Sequence, residues 1–124
     1  MRKESLFAYA ALCLALVVAL GAIGAHALET RISPRYLGVW QTACTYFAYQ
    51  SLALMALAAM NKNLRGLWIS ILGSWIFSGS LWVLALNELL NPGLKILGAI
   101  TPIGGVLLIA GWIFTAYQLY RLRA

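Results

Sequence analysis

The stretch Trp68–Leu86, WISILGSWIFSGSLWVLAL, decides the fold of this chain. It carries no charge and has the length of a helix that crosses the hydrocarbon core of a membrane, about 20 residues. At helical period its small polar and its large aromatic residues form two separate stripes: Ser70, Ser74 and Ser78, and Trp68, Trp75 and Trp82. Small stripes let helix backbones approach in lipid, while aromatic stripes fill grooves or face acyl chains. The stretch therefore predicts a packing helix inside a membrane bundle.

The composition of the whole chain supports a membrane protein. Of its 124 residues 63% are hydrophobic and only 10% are charged, and the mean hydropathy is +0.85. A soluble domain usually has about a quarter of its residues charged. A water-soluble bundle with an extreme core is the alternative, but such a chain could not cover its surface with polar groups. We expect one transmembrane domain over residues 1–124.

Four uncharged apolar runs predict an all-α fold, an integral membrane four-helix antiparallel bundle. The predicted spans are 6–28, 39–60, 66–88 and 96–120. A basic turn at Asn61–Arg65 and a turn signal at Asn91–Gly93 separate the later spans. The first span has an alternative as a secretory signal, because Ala25–Ala27 imitates a cleavage site. Its apolar run is longer than the roughly 7–15 residues of a signal, so we interpret it as a membrane helix.

The distribution of basic residues predicts the topology. The side that holds both termini carries Arg2, Lys3, Lys62, Arg65, Arg121 and Arg123, and the other side carries Arg31, Arg35 and Lys95. Because basic residues favour the cytoplasmic side, we expect a multi-pass protein of the bacterial inner (plasma) membrane with both termini cytoplasmic. The formal charge of +6 is thereby explained without a nucleic-acid partner.

Catalytic and metal-binding groups are scarce. The acids Glu4, Glu29 and Glu88 lie at predicted helix ends or in loops, and His26 is the single histidine. The two cysteines, Cys13 and Cys44, differ in predicted depth by roughly 12 Å, beyond the reach of a disulfide. We therefore expect no catalytic residue, no metal and no cofactor. A membrane enzyme that acts through His26 is the weakest alternative.

The polar side chains of the spans concentrate in one half of the predicted bundle. Counted by depth, the outer half holds five of them: His26, Gln41, Thr45, Ser80 and Thr101. Gln50 and Ser78 follow near the midplane. The set has two interpretations, interhelical hydrogen bonds or an outward-opening pocket for a ligand or lipid headgroup. For Gln50 the sequence predicts a hydrogen bond to Tyr46 or to a serine of the third span.

Small residues and one proline predict close helix packing. The predicted packing positions are Gly21, Gly24, Ser70, Ser74, Gly79, Gly98, Pro102, Gly104 and Gly105. Pro102 lacks a backbone donor and predicts a kink that leaves the carbonyl of Gly98 free, unless Thr101 or water occupies it.

Several of these motifs together resemble a known family. Gly21–Leu28, Trp40–Ala43, Phe77–Leu81 and Ile100–Gly105, followed by Gly111-Trp112, are similar to the YgdD-like family of small bacterial inner-membrane proteins. This is a family of unknown function with a mitochondrial transmembrane relative in animals. The resemblance implies a four-helix membrane protein and no accepted activity. The family usually has a histidine where this chain has Gln50, so a titratable site at that position would be lost here.

Two hypotheses of function follow. The leading one is a non-enzymatic membrane protein that binds a lipid or apolar ligand, or a partner helix, through the outer polar cluster. The alternative is a small transporter or channel component that acts as a homo-oligomer, because four helices alone enclose little pore. The expected partners are membrane lipids and a second copy or another membrane protein.

Overall fold

A computed structural model describes residues 2–87, 89 and 96–123. It contains four α-helices: α1 over Lys3–Ile23, α2 over Pro34–Ala58, α3 over Gly66–Ala85 and α4 over Leu97–Leu122. No strand occurs in these residues, so the predicted all-α class is confirmed. The predicted turn at Asn91–Gly93 and the charges of Glu88 and Lys95 lie outside the described residues.

The end of α1 changes its helical form. One turn of π-helix, Gly24–Leu28, continues the chain after Ile23. The indole of Trp40 on α2 packs against this turn, because a Cβ on Gly24 would lie 2.7 Å from Trp40 Cδ1. The same indole donates a hydrogen bond of 2.8 Å to the carbonyl of Leu20. Since π-helical turns widen the helix locally, this turn is where α1 accommodates the large side chain of α2.

Two short connections fix where α2 begins and ends. The helix begins at Pro34 instead of Val39, because the Ser33 side chain accepts a hydrogen bond of 3.4 Å from the amide of Tyr36 and proline suits the first helical position. Past its end at Ala58, Asn61 adopts the left-handed conformation with φ of 51°. That conformation commonly ends helices and reverses the chain into α3 within a few residues.

The helices pack antiparallel in chain order. Trp40 on α2 meets Leu20 on α1, and Ser78 on α3 donates to the carbonyl of Ala43 on α2. The most extensive contact joins α3 and α4, whereas in the described part the backbones of α1 and α4 do not approach each other. The bundle is therefore a row with α1 and α4 at its two edges, and many side chains of every helix are exposed at its surface.

The α3–α4 contact is a close backbone approach. As positions on α3 rise from Gly66 to Ser80, their partners on α4 fall from Thr115 to Thr101. A Cβ on Gly73 would lie 2.8 Å from the amide nitrogen of Leu108, so the contact leaves no room for a side chain at this position. Small residues that let backbones touch are a major source of helix association in membranes, where burial of apolar surface adds little.

Aromatic rings fill the space between α2 and α3. Phe47 is 1% exposed and lies edge-on to Trp75, with ring centroids 4.8 Å apart. Its centroid is 5.1 Å from that of Trp82, which in turn lies 6.5 Å from Trp40. The predicted tryptophan stripe thus divides, because Trp82 is buried while Trp75 and Trp68 are 40% and 45% exposed.

Three helical segments are long and apolar enough to cross a membrane: Lys3–Leu28, Gly66–Ala85 and Leu97–Leu122. Among the described helices, α2 is not one of them, although its 25 residues have the necessary length. Polar side chains along α2 lower its hydropathy. The prediction that the chain contains transmembrane helices is confirmed. The four-span topology, with both termini on one side of the membrane, stays a prediction.

Candidate functional site

The predicted outer polar cluster is assembled only in part. Ser80 Oγ on α3 lies 2.6 Å from Thr101 Oγ1 on α4. Each hydroxyl has one proton, so one of the two donates across the contact and the other donates within its own helix, Ser80 to the carbonyl of Phe77 at 3.0 Å or Thr101 to that of Leu97 at 3.1 Å. The pair is therefore joined across the contact and also bonded to a helix backbone. The geometry is that of an interhelical polar clasp with its hydrogen-bonding capacity used internally.

The two midplane candidates join different helices. Ser78 Oγ donates a buried hydrogen bond of 2.9 Å to the carbonyl of Ala43. Gln50 Oε1 accepts a hydrogen bond of 2.6 Å from the indole of Trp112 on α4. The prediction that Gln50 bonds to Tyr46 or to a serine of the third span is wrong, because the indole N–H reaches the amide from the far side of the bundle.

The remaining three candidates lie apart from this clasp. His26 sits in the π-helical turn, and Gln41 and Thr45 lie one turn apart on α2; all three side chains are exposed. In the described part of the chain none of them has a side-chain hydrogen bond. The seven predicted residues therefore form no single pocket, and whether any of them binds a ligand stays a prediction.

A small cavity lies at the centre of the bundle, with walls from all four helices. Its volume is about 20 Å³, and Tyr9, Gln50, Ser70 and Trp112 are among its walls. A cavity needs roughly 10–15 Å³ to hold one water molecule. Among the described residues the buried Ser70 Oγ has no hydrogen-bond partner, whereas the Tyr9 hydroxyl accepts from the indole of Trp75 at 2.6 Å. The space suits one water and no larger solute.

The predicted packing positions separate into close contacts and open ones. A Cβ on Gly104 would clash with the backbone of Phe77, and Ser70 Oγ lies directly against Gly111. At Gly105 a Cβ would make an ordinary contact, 3.7 Å from the ring of Phe77. A Cβ at three other predicted positions would meet nothing within 4 Å: Gly21, Gly79 and Gly98. These three glycines face away from the neighbouring helices, so the close packing predicted for them is not observed.

Pro102 lies inside α4, which runs without interruption from Leu97 to Leu122. The hydroxyl of Thr101 lies 3.1 Å from the carbonyl oxygen of Leu97 and so does not occupy the carbonyl of Gly98. The kink expected at Pro102 stays a prediction. Since Pro102 sits near the beginning of the helix, most of α4 lies beyond the hydrogen bond that proline removes. The backbone of α4 accommodates Pro102 and continues alongside α3.

Four contact residues of the α3–α4 seam were not among the predicted packing positions: Gly66, Gly73, Gly111 and Thr115. The predicted serine stripe repeats every fourth residue, whereas the observed seam alternates steps of four and three residues through Gly66, Ser70 and Gly73. That spacing is typical of left-handed helix pairs, which repeat about every 3.5 residues. The same spacing through Gly104, Leu108 and Gly111 in the sequence is the signal that could have identified the seam.

The exposed side of α2 differs from the exposed sides of the other helices. It carries amide, hydroxyl and phenol groups, hereafter the α2 face: Gln41, Thr42, Thr45, Tyr46, Tyr49 and Leu52. Tyr46 and Tyr49 are 45% and 61% exposed. By contrast α4 exposes large aliphatic side chains such as Ile103, Val106 and Ile109. The α2 face is therefore a polar exposed strip, in contrast to this aliphatic part of α4.

The described residues contain no metal-binding cluster and no disulfide. Within residues 2–87, 89 and 96–123 no three His, Cys, Asp or Glu side chains lie close enough to hold a metal ion. Cys13 and Cys44 are both free thiols, and Cys44 Sγ accepts a hydrogen bond of 3.3 Å from the indole of Trp82.

Comparison with known proteins identifies similar chains. The family DUF423, described as a protein of unknown function, matches residues 20–105. A UPF0382 membrane protein of Staphylococcus haemolyticus is 42% identical over 117 residues, which cover 90% of this chain and 91% of its own. The UPF0382 membrane protein YwdK of Bacillus subtilis is 42% identical over 105 residues, covering 79% and 81%.

The similarity extends beyond bacteria. A UPF0382 membrane protein of Schizosaccharomyces pombe is 41% identical over 107 residues, covering 83% of this chain and 91% of its own. No solved structure matches the chain. The predicted resemblance to a family of small membrane proteins of unknown function is confirmed, while the YgdD-like name stays a prediction.

Proposed function

This chain belongs to the DUF423 family of unknown function, and from that premise we propose that it is a non-enzymatic membrane protein that binds a second copy of itself through the α2 face. The observation that carries the proposal is the exposed polarity of Gln41, Thr45 and Tyr49. We further propose a multi-pass location in the bacterial inner membrane with both termini cytoplasmic, supported by the excess of basic residues at that end.

The first step concerns the free energy of exposed polar groups in lipid. Gln41 and Thr45 have no side-chain hydrogen bond among the described residues, whereas Thr42 Oγ1 on the same face donates back to its own helix, to the carbonyl of Gly38 at 2.9 Å. Amide and hydroxyl groups without partners in hydrocarbon are unfavourable. A partner helix that supplies donors and acceptors at this depth stabilises them.

The second step concerns the shape of the α2 face. Gly38, Thr42, Thr45 and Tyr49 follow one another in steps of four, three and four residues, which is the spacing of the α3–α4 seam. A Cβ at Gly38 would meet nothing within 4 Å, so the outer part of this strip is open. Small residues at this spacing allow another helix to approach closely.

The third step identifies the partner as a second copy. With a twofold axis along the membrane normal, each residue of α2 meets its own counterpart at the same depth. The Gln41 amide and the hydroxyls of Thr45 and Tyr49 each contain both a donor and an acceptor. They can therefore pair with themselves. No charge lies on the face between Gln41 and Leu52, so the pairing brings no like charges together.

Cysteine crosslinking in native membranes tests the proposal. In a Cys13→Ala, Cys44→Ala background, Thr45→Cys should give an oxidised dimer, because a disulfide requires Cα atoms about 4.4–6.8 Å apart. The matched control is Ile109→Cys, which is 63% exposed on α4 and should stay monomeric. Equal crosslinking at both positions would indicate random collision and contradict the proposal. A Thr45→Cys adduct with a different protein would exclude the second copy.

A second measurement removes polarity without changing shape. Thr45→Val keeps the volume and removes the hydroxyl, and Gln41→Leu removes the amide. Hydrogen bonds between membrane helices contribute about 0.6–2 kcal/mol, so each substitution should weaken dimerisation by roughly 3- to 30-fold. Energy transfer between labelled copies in liposomes measures the dissociation constant. An unchanged constant in both variants would show that the polar groups do not hold the dimer.

A further inference from the structure

We propose that a basic pocket at the end of the bundle that holds both termini binds the phosphate of an anionic phospholipid headgroup. The pocket has a volume of about 340 Å³, within the range of clefts that bind small molecules. Its polar and basic walls are Lys3, Asn61, Lys62, Asn63 and Trp68. This site is separate from the α2 face.

Three pieces of structure build the pocket. Lys3 and Leu6 come from the first turns of α1, Lys62 from the connection that follows α2, and Trp68 from the first turn of α3. The left-handed conformation of Asn61 turns the chain sharply after α2, which places Lys62 beside the beginning of α1. Two ammonium groups from distant parts of the sequence thereby line one concave space.

The two lysines have no bonding partner among the residues that the structure describes. In the part of the chain that the structure describes, neither side chain makes an ion pair or a hydrogen bond. At the same end Arg121 donates to the Tyr117 hydroxyl at 3.2 Å, and Arg123 lies 4.1 Å from the centroid of the Tyr120 ring. Arg121 and Arg123 are thus held on tyrosines, whereas the two lysines remain available to an anion.

The remaining walls suit an amphiphile. Four indoles donate hydrogen bonds to protein acceptors: Trp40, Trp75, Trp82 and Trp112. The indole of the fifth, Trp68, makes no hydrogen bond in the described part and the residue is 45% exposed. Its indole N–H is therefore available to a ligand. Leu6, Leu64 and Leu67 add an apolar surface. Phosphate oxygens would meet lysines and amides, while the glycerol and the beginning of the acyl chains meet leucine and indole.

The position of the pocket at the membrane interface favours a lipid as the source of the phosphate. Tryptophan and lysine concentrate at the membrane interface, where headgroups lie. In the described residues this end of the bundle holds one acid, Glu4, which does not line the pocket. An anionic headgroup therefore meets basic groups without a competing carboxylate.

The test compares lipid retention by the full chain and two variants. Each protein is placed in nanodiscs of equal parts phosphatidylglycerol and phosphatidylcholine, extracted gently and weighed by native mass spectrometry. In the double variant Lys3→Gln with Lys62→Gln, less phosphatidylglycerol should be retained relative to phosphatidylcholine. The ratio of the two lipids should fall by about fivefold for each lysine removed. The matched control, Arg121→Gln with Arg123→Gln, removes the same charge and should keep the ratio.

Three results would overturn the proposal. The first is an unchanged ratio in the lysine variant, and the second is an equal fall in both variants, which would indicate diffuse surface charge. The third would come from a competition experiment, in which inorganic phosphate or glycerol phosphate is added to the protein in detergent. If either displaces bound phosphatidylglycerol at low concentration in a lysine-dependent way, the occupant is a soluble phosphate and not a headgroup. Circular dichroism confirms that each variant is folded.

Discussion

The indole of Trp112 on α4 donates a hydrogen bond of 2.6 Å to Oε1 of Gln50 on α2, although these two helices are not neighbours in the bundle. The bond crosses the inner part of the molecule beside the central cavity. It joins the edge helix α4 to the middle of the row, so it restrains how far α4 can rotate about α3. Gln50 thus has a structural partner, the indole of Trp112.

Removing this bond should lower stability. Gln50→Leu leaves the indole N–H of Trp112 without an acceptor, and Trp112→Phe leaves the amide without a donor. We expect each variant to lose about 1–2 kcal/mol of unfolding free energy. Steric trapping or mild detergent unfolding in bilayer discs measures the loss. The double variant should lose less than the sum, and strict additivity would show that the two side chains do not interact.

The α3–α4 seam gives a second prediction, on glycine. Gly104→Ala places a methyl group against the backbone of Phe77 and should destabilise the fold by about 2 kcal/mol or more. Gly79→Ala and Gly98→Ala meet open space and serve as controls. Because alanine favours helix over glycine by about 1 kcal/mol, both controls should be neutral or slightly stabilising. Thermal unfolding in detergent distinguishes the two outcomes, and equal losses at all three sites would contradict the seam.

The serines of α3 give a third prediction. Ser78→Ala removes a buried hydrogen bond to the carbonyl of Ala43 and should lower stability by about 0.5–1.5 kcal/mol. Ser70→Ala removes a hydroxyl that has no partner, so we expect a change within about 0.5 kcal/mol or a small gain. The comparison is made by chemical unfolding of both variants. A larger loss at Ser70 than at Ser78 would show that a water molecule in the central cavity binds the Ser70 hydroxyl.

The Ser80–Thr101 clasp gives a fourth prediction, which separates structural from ligand-binding roles. Ser80→Ala and Thr101→Val should each reduce unfolding free energy by about 1 kcal/mol, because the hydroxyl left behind loses its partner. Neither should change dimerisation or lipid retention, since both hydroxyls are directed into the α3–α4 contact. His26→Ala, at an exposed position, is the control for stability. A loss of lipid or partner binding without loss of stability would restore the outer-cluster hypothesis.

Much of the architecture could be predicted from residue patterns. Long uncharged runs bounded by basic turns predict helices in lipid, and α1, α3 and α4 confirm this. The small residues of Trp68–Leu86 correctly indicate a packing helix. The partners could not be predicted, because hydrogen bonds such as Trp112 to Gln50 depend on how each helix is rotated about its own axis. A rotation of about 100°, one residue, moves a side chain from the interior to lipid.

Within one helix, the stretch Trp68–Leu86 shows the same division between what residue patterns predict and what tertiary contacts decide. By itself the sequence determined that this segment is helical, apolar and close-packed, because composition and length alone fix those properties in lipid. Only the tertiary structure decided that the seam runs through Gly66, Ser70 and Gly73. A pair of helices packs along a repeat of about 3.5 residues, not four, and the neighbouring helix decides which residues of α3 follow that repeat. The tertiary contact therefore places Ser70 in the seam and gives Ser78 its partner on α2.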